Sequence, residues 1–128
     1  MRKADAVTIE TQKPFGPSPG TFSSTGAISE SGTFVNSSVL LGCVDASDSV
    51  TVDVTQRFEG ELGTFTLRAA ISERVTDDPR VLSDRGTWVV IDGTGVYETL
   101  RGRGRVTGTA DDNLDLIRRT YDGTVRRG

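Results

Sequence analysis

Apolar and polar residues alternate with a period of two along two consecutive segments of the chain. In the first, SVTVDVTQRFEG, one face is apolar except for one glutamine: Val50, Val52, Val54, Gln56 and Phe58. In the second, GTFTLRAAISER, the apolar face consists of Phe65, Leu67, Ala69 and Ile71. This alternation is typical of antiparallel strands that turn one face to a core and the other to water. The two segments therefore predict a hairpin with a tight connection.

Six further segments are rich in β-branched and aromatic residues and are bounded by glycine-containing turns, which favours strands. They are residues 7–11, 21–28, 33–44, 86–91, 102–110 and 114–125. Residues 11–20, which hold three prolines, and the polar residues 75–85 predict loops, and only residues 96–100 have helical character. Short antiparallel strands in this number suggest a barrel or a sandwich. We favour an all-β fold, a single eight-stranded antiparallel barrel, because closure leaves no edge strand.

Length and composition are consistent with this fold. A chain of 128 residues predicts one domain, 1–128, in which residues 1–20 form a partly flexible N-terminal segment with the proline-rich loop. The single cysteine, Cys43, excludes an internal disulfide and is expected to be a small buried residue. No apolar run resembles a signal core or a membrane helix. We expect a cytoplasmic protein and no membrane partner, while a secreted mature form stays open.

Residues 88–112 resemble a dinucleotide-binding turn, because an apolar run ends in Gly93-Thr94-Gly95 and acidic residues follow. The third glycine of that fingerprint would stand at Glu98, and the segment lacks a crossover helix. We therefore interpret the glycines as a turn between strands.

The tract Arg101-Gly102-Arg103-Gly104-Arg105 resembles a nucleic-acid-binding sequence, but its period of two places the arginines on one strand face and the glycines on the other. A net charge of −3 counts against a nucleic-acid partner. We expect the arginines to lie outside and to pair with carboxylates across strands. The inward glycines either leave room for a ligand or let the strand bend at a barrel corner.

The absence of histidine excludes imidazole-based nucleophile pairs, and with a single cysteine it makes a zinc site implausible. Lys3 and Lys13 lie in the N-terminal region, which argues against a buried lysine nucleophile. The acidic residues of VDASDSVTVD (Asp45, Asp48 and Asp53) lack calcium-loop spacing and are expected to be solvated. We expect no metal and no cofactor.

Candidate ligand-binding residues are polar or aromatic groups on predicted inner faces. They are Gln56, Phe58, Trp88, Gly102, Gly104, Arg119 and Tyr121. Gln56 interrupts an apolar face, so it either orients a ligand or bonds to a buried neighbour. Tyr121, with Arg119 on the same face, either donates to a ligand or packs in the core. Trp88 and Phe58 line the lumen or fill the core, and no catalytic residue can be assigned.

The stretch GTWVVIDGTGVYETLRGRGRVTGTA, with a final strand ending YDGTV, resembles the allene oxide cyclase-like barrel proteins of bacteria. The matching positions are Gly86, Thr87, Trp88, Val90, Gly93, Thr94, Gly95, Tyr97, Leu100, Gly102, Gly104, Gly108 and Thr109. The resemblance covers residues 86–125 and is weaker over 20–75. It implies an eight-stranded barrel shaped like dirigent proteins and lipocalins. The proteins of that family include cofactor-free cyclases, among them bacterial enzymes of secondary metabolism that close polyketide rings.

Three functions follow from these observations. The first is a small-molecule-binding barrel that works as a cofactor-independent cyclase or isomerase on a hydrophobic, polyketide- or lipid-like substrate in the lumen. The second is a non-catalytic barrel that binds a hydrophobic ligand, and the third is a structural or interaction module. Trp88 and Val90 alternate with Val89 and Ile91, so both faces of this strand are apolar. The outer face must therefore meet a loop, the terminal segment or another subunit, and on that basis we predict a homo-oligomer, dimer or trimer.

Overall fold

The computed structural model describes residues 4–44 and 49–128, and these form one closed barrel of eight antiparallel strands in sequence order. The strands are β1 (Asp5–Lys13), β2 (Gly20–Gly26), β3 (Glu30–Val44), β4 (Ser49–Gly60), β5 (Gly63–Val75), β6 (Val81–Gly93), β7 (Leu100–Asp111) and β8 (Leu116–Arg127). Each strand pairs with the next, and β1 pairs with β8 to close the barrel. The predicted all-β, eight-stranded barrel is confirmed. Asp5–Lys13, within the N-terminal segment expected to be partly flexible, pairs on both sides.

The prediction of a loop over residues 75–85 is wrong for its second half, because β6 begins at Val81 and pairs with both neighbours from its first residues. The alternation there is hidden by polar residues. Ser83 and Arg85 face water, whereas Asp84 between them is buried. A carboxylate on the inner face looks like a loop residue when only hydrophobicity is considered.

The connection between β6 and β7 confirms the interpretation of the Gly-Thr-Gly sequence as a turn. It contains a short 3-10 turn, Gly95–Tyr97, where the sequence suggests helical character over residues 96–100. Because β6 and β7 run antiparallel, the chain has no crossover helix at this point. The nucleotide-binding interpretation therefore has no structural basis here.

The two ends of the barrel differ in chemistry. We call the end with the β2–β3, β4–β5 and β6–β7 connections the turn end, and the opposite end, with the proline-rich β1–β2 connection, the proline-loop end. Aromatic rings fill the interior toward the turn end. Phe58 stacks on Phe65 and Phe34 at centroid distances of 4.9 and 5.2 Å, and Phe22 meets Phe58 edge to face. Tyr97 closes this end, with its ring 5.2 Å from that of Phe65.

The inner and outer faces follow the predicted alternation. Phe58, Trp88 and Tyr121 are each at most 2% exposed, whereas Val89 and Ile91 on the outer face of β6 are 43% and 50% exposed. The arginines of β7 also face outward, and its glycines face the interior. These assignments place the candidate ligand-binding side chains of the sequence on the inside of one barrel.

Candidate functional site

A chain of hydrogen-bonded polar side chains crosses the barrel interior. It begins at Asn36 on β3, whose Oδ1 accepts a hydrogen bond of 3.2 Å from Gln56 Nε2. Gln56 Oε1 in turn accepts a hydrogen bond of 2.5 Å from the hydroxyl of Tyr121 on β8. Gln56 is 1% and Tyr121 0% exposed, so each side chain replaces its hydrogen bonds to water with a hydrogen bond to the other. The sequence predicts both residues inside, and the structure brings them together.

Arg119 and Asp84 continue this chain toward the proline-loop end as a buried ion pair. Arg119 Nε donates to Asp84 Oδ2 over 2.9 Å, and the side chains are 9% and 0% exposed. The two residues lie on β8 and β6, with β7 between them. Gly108 is the β7 residue in register with both, and a Cβ there would lie 2.8 Å from Arg119 Cγ. The missing side chain at Gly108 thus lets the arginine pass over β7 to reach Asp84.

Glu73 on β5 is the direct cross-strand partner of Asp84, which places a second carboxyl group beside the ion pair. The pKa of Glu73 is raised to about 7, mainly because burial disfavours its charged form. A hydrogen bond to Asp84 and the charge of Asp84 raise this pKa further, while the charge of Arg119 opposes them. Asp84 Oδ1 is buried and has no fixed donor within the described residues. Protonation of Glu73 would place an O–H donor beside Asp84.

Burial and the neighbouring charges together set the pKa values of Arg119 and Tyr121. Burial acts most strongly on Arg119 and would lower its pKa, but Tyr121, Asp84 and Glu73 outweigh it, so the pKa is raised. The pKa of Tyr121 is raised, chiefly by burial, although Arg119 and Gln56 oppose this. At neutral pH the arginine is charged, the tyrosine keeps its proton, and Glu73 lies near its midpoint. We call the six side chains Asn36, Gln56, Tyr121, Arg119, Asp84 and Glu73 the interior polar chain.

Lys13 is buried, whereas its place in the N-terminal region argues against a buried lysine nucleophile. It ends β1 on the inner face and is 5% exposed. Burial is the main cause that lowers its pKa, followed by the charge of Arg119, with Asp115 acting in the opposite direction. Its Nζ donates to the carbonyl oxygens of Pro14 and Gly16 at 2.9 and 2.5 Å, so the lysine fastens the proline-rich loop over this end of the barrel.

The predicted site residues Gly102 and Gly104 lie on the inner face of β7, close to the backbone of β8. A Cβ on Gly104 would stand 2.0 Å from the carbonyl oxygen of Asp122, and one on Gly102 2.5 Å from that of Thr124. The strands therefore approach closely, as expected where a barrel wall bends. Trp88 is in register with Gly104 and donates from Nε1 to the carbonyl of Arg105 over 3.1 Å. Its indole occupies interior space beside these glycines.

The arginines of β7 face outward as predicted, but the expected pairing with carboxylates is wrong, because none of the ion pairs between described residues involves Arg101, Arg103 or Arg105. Arg103 lies opposite Val89 and Thr124, and Arg101 lies opposite Arg126. Only Arg105 has an acidic cross-strand neighbour, Asp122. This face of the sheet therefore carries more positive charge than the sequence suggests.

Sequence reasoning does not find Glu73, Asp84 or Asn36. Glu73 extends the inward alternation that ends at Ile71, and Asp84 lies four residues before Trp88 on the same face. The alternation with a period of two therefore places Glu73 and Asp84 on inner faces, but only if both positions are assigned to strands. Cys43, Asp45 and Asp48 lie outside the residues whose side chains the structure describes. Asp53 is described, and it accepts two hydrogen bonds of 3.1 Å from Arg68.

Two searches of the described residues bear on the chemistry of the site. Within residues 4–44 and 49–128, histidine, cysteine, aspartate and glutamate side chains form no group of three or more that could hold a metal ion. No helix in the same ranges has the length and apolar character needed to cross a membrane.

Comparison with known proteins identifies no relative. No family model matches the chain, and no curated protein or solved structure matches it significantly. The functional argument therefore depends on the barrel and on the interior polar chain.

Proposed function

We propose that the barrel binds a hydrophobic small molecule and catalyses its cofactor-free isomerisation or cyclisation by proton transfer at Glu73. The observation that carries this proposal is the arrangement of Glu73, Asp84 and Arg119 on three strands, where a partly buried carboxyl group adjoins a buried ion pair. Two adjacent carboxyl groups and one buried cation form a set that can exchange a proton near neutral pH. Kinship with allene oxide cyclase-like proteins, and hence a polyketide- or lipid-like substrate, belongs to the same proposal.

The chemistry needs only side chains of this chain. In the carboxylate form, Glu73 removes a proton from a carbon next to a carbonyl group of the ligand. The positive charge of Arg119 stabilises the negative charge that develops on the carbonyl oxygen. Glu73 then returns the proton to another carbon, so the ligand is isomerised without gain or loss of electrons. A general acid or base works best when its pKa lies near the working pH, and the pKa of Glu73 is about 7.

The interior polar chain also suits the binding step. Gln56 and Tyr121 fix each other through a short hydrogen bond, and Asn36 holds the free end of Gln56. Polar groups held this way keep their orientation when a ligand arrives, which lowers the cost of ordering the complex. Leu67 and Val106, the cross-strand neighbours of Gln56 and Tyr121, are fully buried, and apolar lining of this kind is typical of sites for hydrophobic small molecules.

A non-catalytic barrel is the second candidate, and the aromatic packing favours it. Phe58 and Phe65 are 0% exposed and stack face to face, so the interior toward the turn end is occupied by the protein's own side chains. In that case the polar chain would serve to hold strands together. Proton transfer at Glu73 separates the two candidates, because a binding or structural barrel would not accelerate proton exchange at a carbon atom of its ligand.

Hydrogen–deuterium exchange at carbon tests the proposal. The protein is incubated in deuterium oxide with simple apolar ketones, cyclohexanone and acetophenone, and exchange next to the carbonyl is followed by NMR. We expect the protein to accelerate exchange, with an inflection near pH 7, and Glu73→Gln to abolish the acceleration. The matched control Glu61→Gln removes an exposed carboxylate and should change nothing. No acceleration by the wild-type protein, or equal rates in both variants, would favour the non-catalytic barrel.

A further inference from the structure

A groove of about 870 Å³ crosses the outer face of β4 to β8, on the opposite side of the wall from the interior polar chain. We call it the outer groove. Its lining includes Ala70, Val89, Gly104 and Gly123, with Trp88 beneath them. Its volume falls within the range of about 300–1,000 Å³ that is usual for small-molecule sites. The groove exists because the outward side chains at its centre, such as Ala70 and Thr87, are small and lie between longer arginine side chains.

The rim of the outer groove is cationic. Arg68, Arg103 and Arg105 all line it and are all exposed. The hydroxyl-bearing side chains of Thr87 and Thr124 lie in register with these arginines: Thr87 opposite Arg105, and Thr124 opposite Arg103. Guanidinium groups and hydroxyl groups both donate hydrogen bonds to carboxylate, sulfonate and phosphate oxygens.

The positive charge of this rim is only partly neutralised by the protein. Asp53, the one carboxylate of the lining, is held by Arg68 through two hydrogen bonds of 3.1 Å. Asp122 is the cross-strand neighbour of Arg105, and its Oδ1 accepts from the hydroxyl of Thr8. Among the ion pairs between described residues, none involves Arg103 or Arg105. Arg103 and Arg105 therefore line the groove without an ion pair among the described residues.

We infer that the outer groove binds a small amphipathic anion, an apolar ring system that carries a carboxylate, sulfonate or phosphate group. The ring would lie over Val89, Ala70 and the glycine backbone, and the anion would meet Arg103 and Arg105. A nucleic-acid strand fits less well, because the groove lacks an exposed aromatic ring on which bases could stack. This site is separate from the one under Proposed function and does not depend on it.

A matched pair of dyes tests the charge requirement. Anilinonaphthalene sulfonate supplies a ring system and a sulfonate, and N-phenylnaphthylamine has the same rings without the charge. Trp88 is the only tryptophan of the chain and lies beneath the groove, so it reports a bound dye through energy transfer. We expect the sulfonate to bind with energy transfer from Trp88. Arg103→Gln/Arg105→Gln should weaken this binding about tenfold, because each exposed ion pair contributes up to about fivefold.

The control variant has the same net charge as Arg103→Gln/Arg105→Gln, but it leaves the lining of the outer groove unchanged. Arg80→Gln/Arg118→Gln removes two exposed arginines that do not line the groove, and it should leave the affinity for the sulfonate within about twofold. The affinity for N-phenylnaphthylamine should be the same in both variants. An equal loss of sulfonate binding in the two variants, or unchanged binding in Arg103→Gln/Arg105→Gln, would overturn the inference. Glu73→Gln should not affect the sulfonate, which separates this result from the interior site.

Discussion

At the scale of single residues, the most demanding feature is the carboxylate of Asp84, whose side chain is 0% exposed. A buried charge costs several kcal/mol unless a partner of opposite charge and good hydrogen bonds compensate it. Arg119 supplies the charge, and Thr11 Oγ1 donates to the Arg119 carbonyl oxygen over 3.3 Å, which links this part of β8 to β1. The stability of the proline-loop end therefore depends on both members of the ion pair.

Arg119→Met should destabilise the protein by about 3–5 kcal/mol, because it leaves Asp84 buried without a cation. The double variant Arg119→Met/Asp84→Leu should recover most of that loss, since neither charge remains. Urea unfolding of the wild-type protein and the two variants measures both effects. A loss below about 1 kcal/mol in the single variant would mean that water reaches Asp84.

Glu73 should make stability depend on pH in a defined window. Its pKa is raised from 4.5 to about 7 in the folded state, so the folded protein binds this proton more tightly than the unfolded chain does. The corresponding stabilisation is complete below the unfolded pKa and is lost as pH rises through about 7. Thermal unfolding at several pH values should show Glu73→Gln gaining stability relative to the wild-type protein between pH 5 and 8. A constant difference would show that Glu73 titrates normally.

At the scale of elements, the close approach of β7 and β8 makes the arrangement possible. Gly108 stands between Asp84 and Arg119, and the paired Gly104 and Gly123 bring the two backbones together. Because the glycines of β7 have no Cβ atoms, the backbones of β7 and β8 can approach each other closely. Arg119 reaches Asp84 because Gly108, the β7 residue between them, has no side chain.

Gly108→Ala should be disruptive, because the new Cβ would stand 2.1 Å from the carbonyl oxygen of Arg118 and 2.8 Å from Arg119 Cγ. We expect a loss of about 1–3 kcal/mol in urea unfolding, together with a displaced Arg119. Thr109→Ala, on the exposed face of the same strand, is the control and should change stability by less than about 0.5 kcal/mol. Equal stability of the two variants would refute the close approach.

Most elements can be predicted from the sequence because the inner face of most strands is mainly apolar, and the period of two then indicates both the strand and its orientation. The interior polar chain was only partly predictable. Gln56, Tyr121 and Arg119 lie within clear alternation, whereas Asp84 lies in a polar segment that resembles a loop. The pairing of Glu73 with Asp84 depends on the register between β5 and β6, which a single sequence does not specify.

At the scale of the whole molecule, the homo-oligomer stays a prediction, and two apolar outer surfaces bear on it. Val89 and Ile91 are exposed on β6, and Leu40 and Leu41 on β3 are 64% and 74% exposed. Within the described residues, β3 has no pairing with β2 beyond Phe34, so the edge that carries the two leucines is open on that side. Exposed apolar edges of this kind favour association with another chain.

Light scattering coupled to size exclusion measures this association. We expect a mass of two or three times 13.7 kDa at micromolar concentration. Leu40→Lys/Leu41→Lys should shift the protein toward the monomer if β3 forms the contact, and Ile91→Lys should do so if β6 forms it. A wild-type mass of 13.7 kDa would remove the prediction.

The proposed chemistry requires that Glu73 hold an exchangeable proton near neutral pH. Carbon-13 NMR titration of the side-chain carboxyl groups, with Glu73→Gln to assign the signal, tests it most directly. The structure predicts a midpoint near pH 7 for Glu73, moving to lower pH in Asp84→Asn as the neighbouring negative charge is removed. A midpoint near 4.5, the ordinary value for glutamate, would show that Glu73 holds no exchangeable proton near neutral pH.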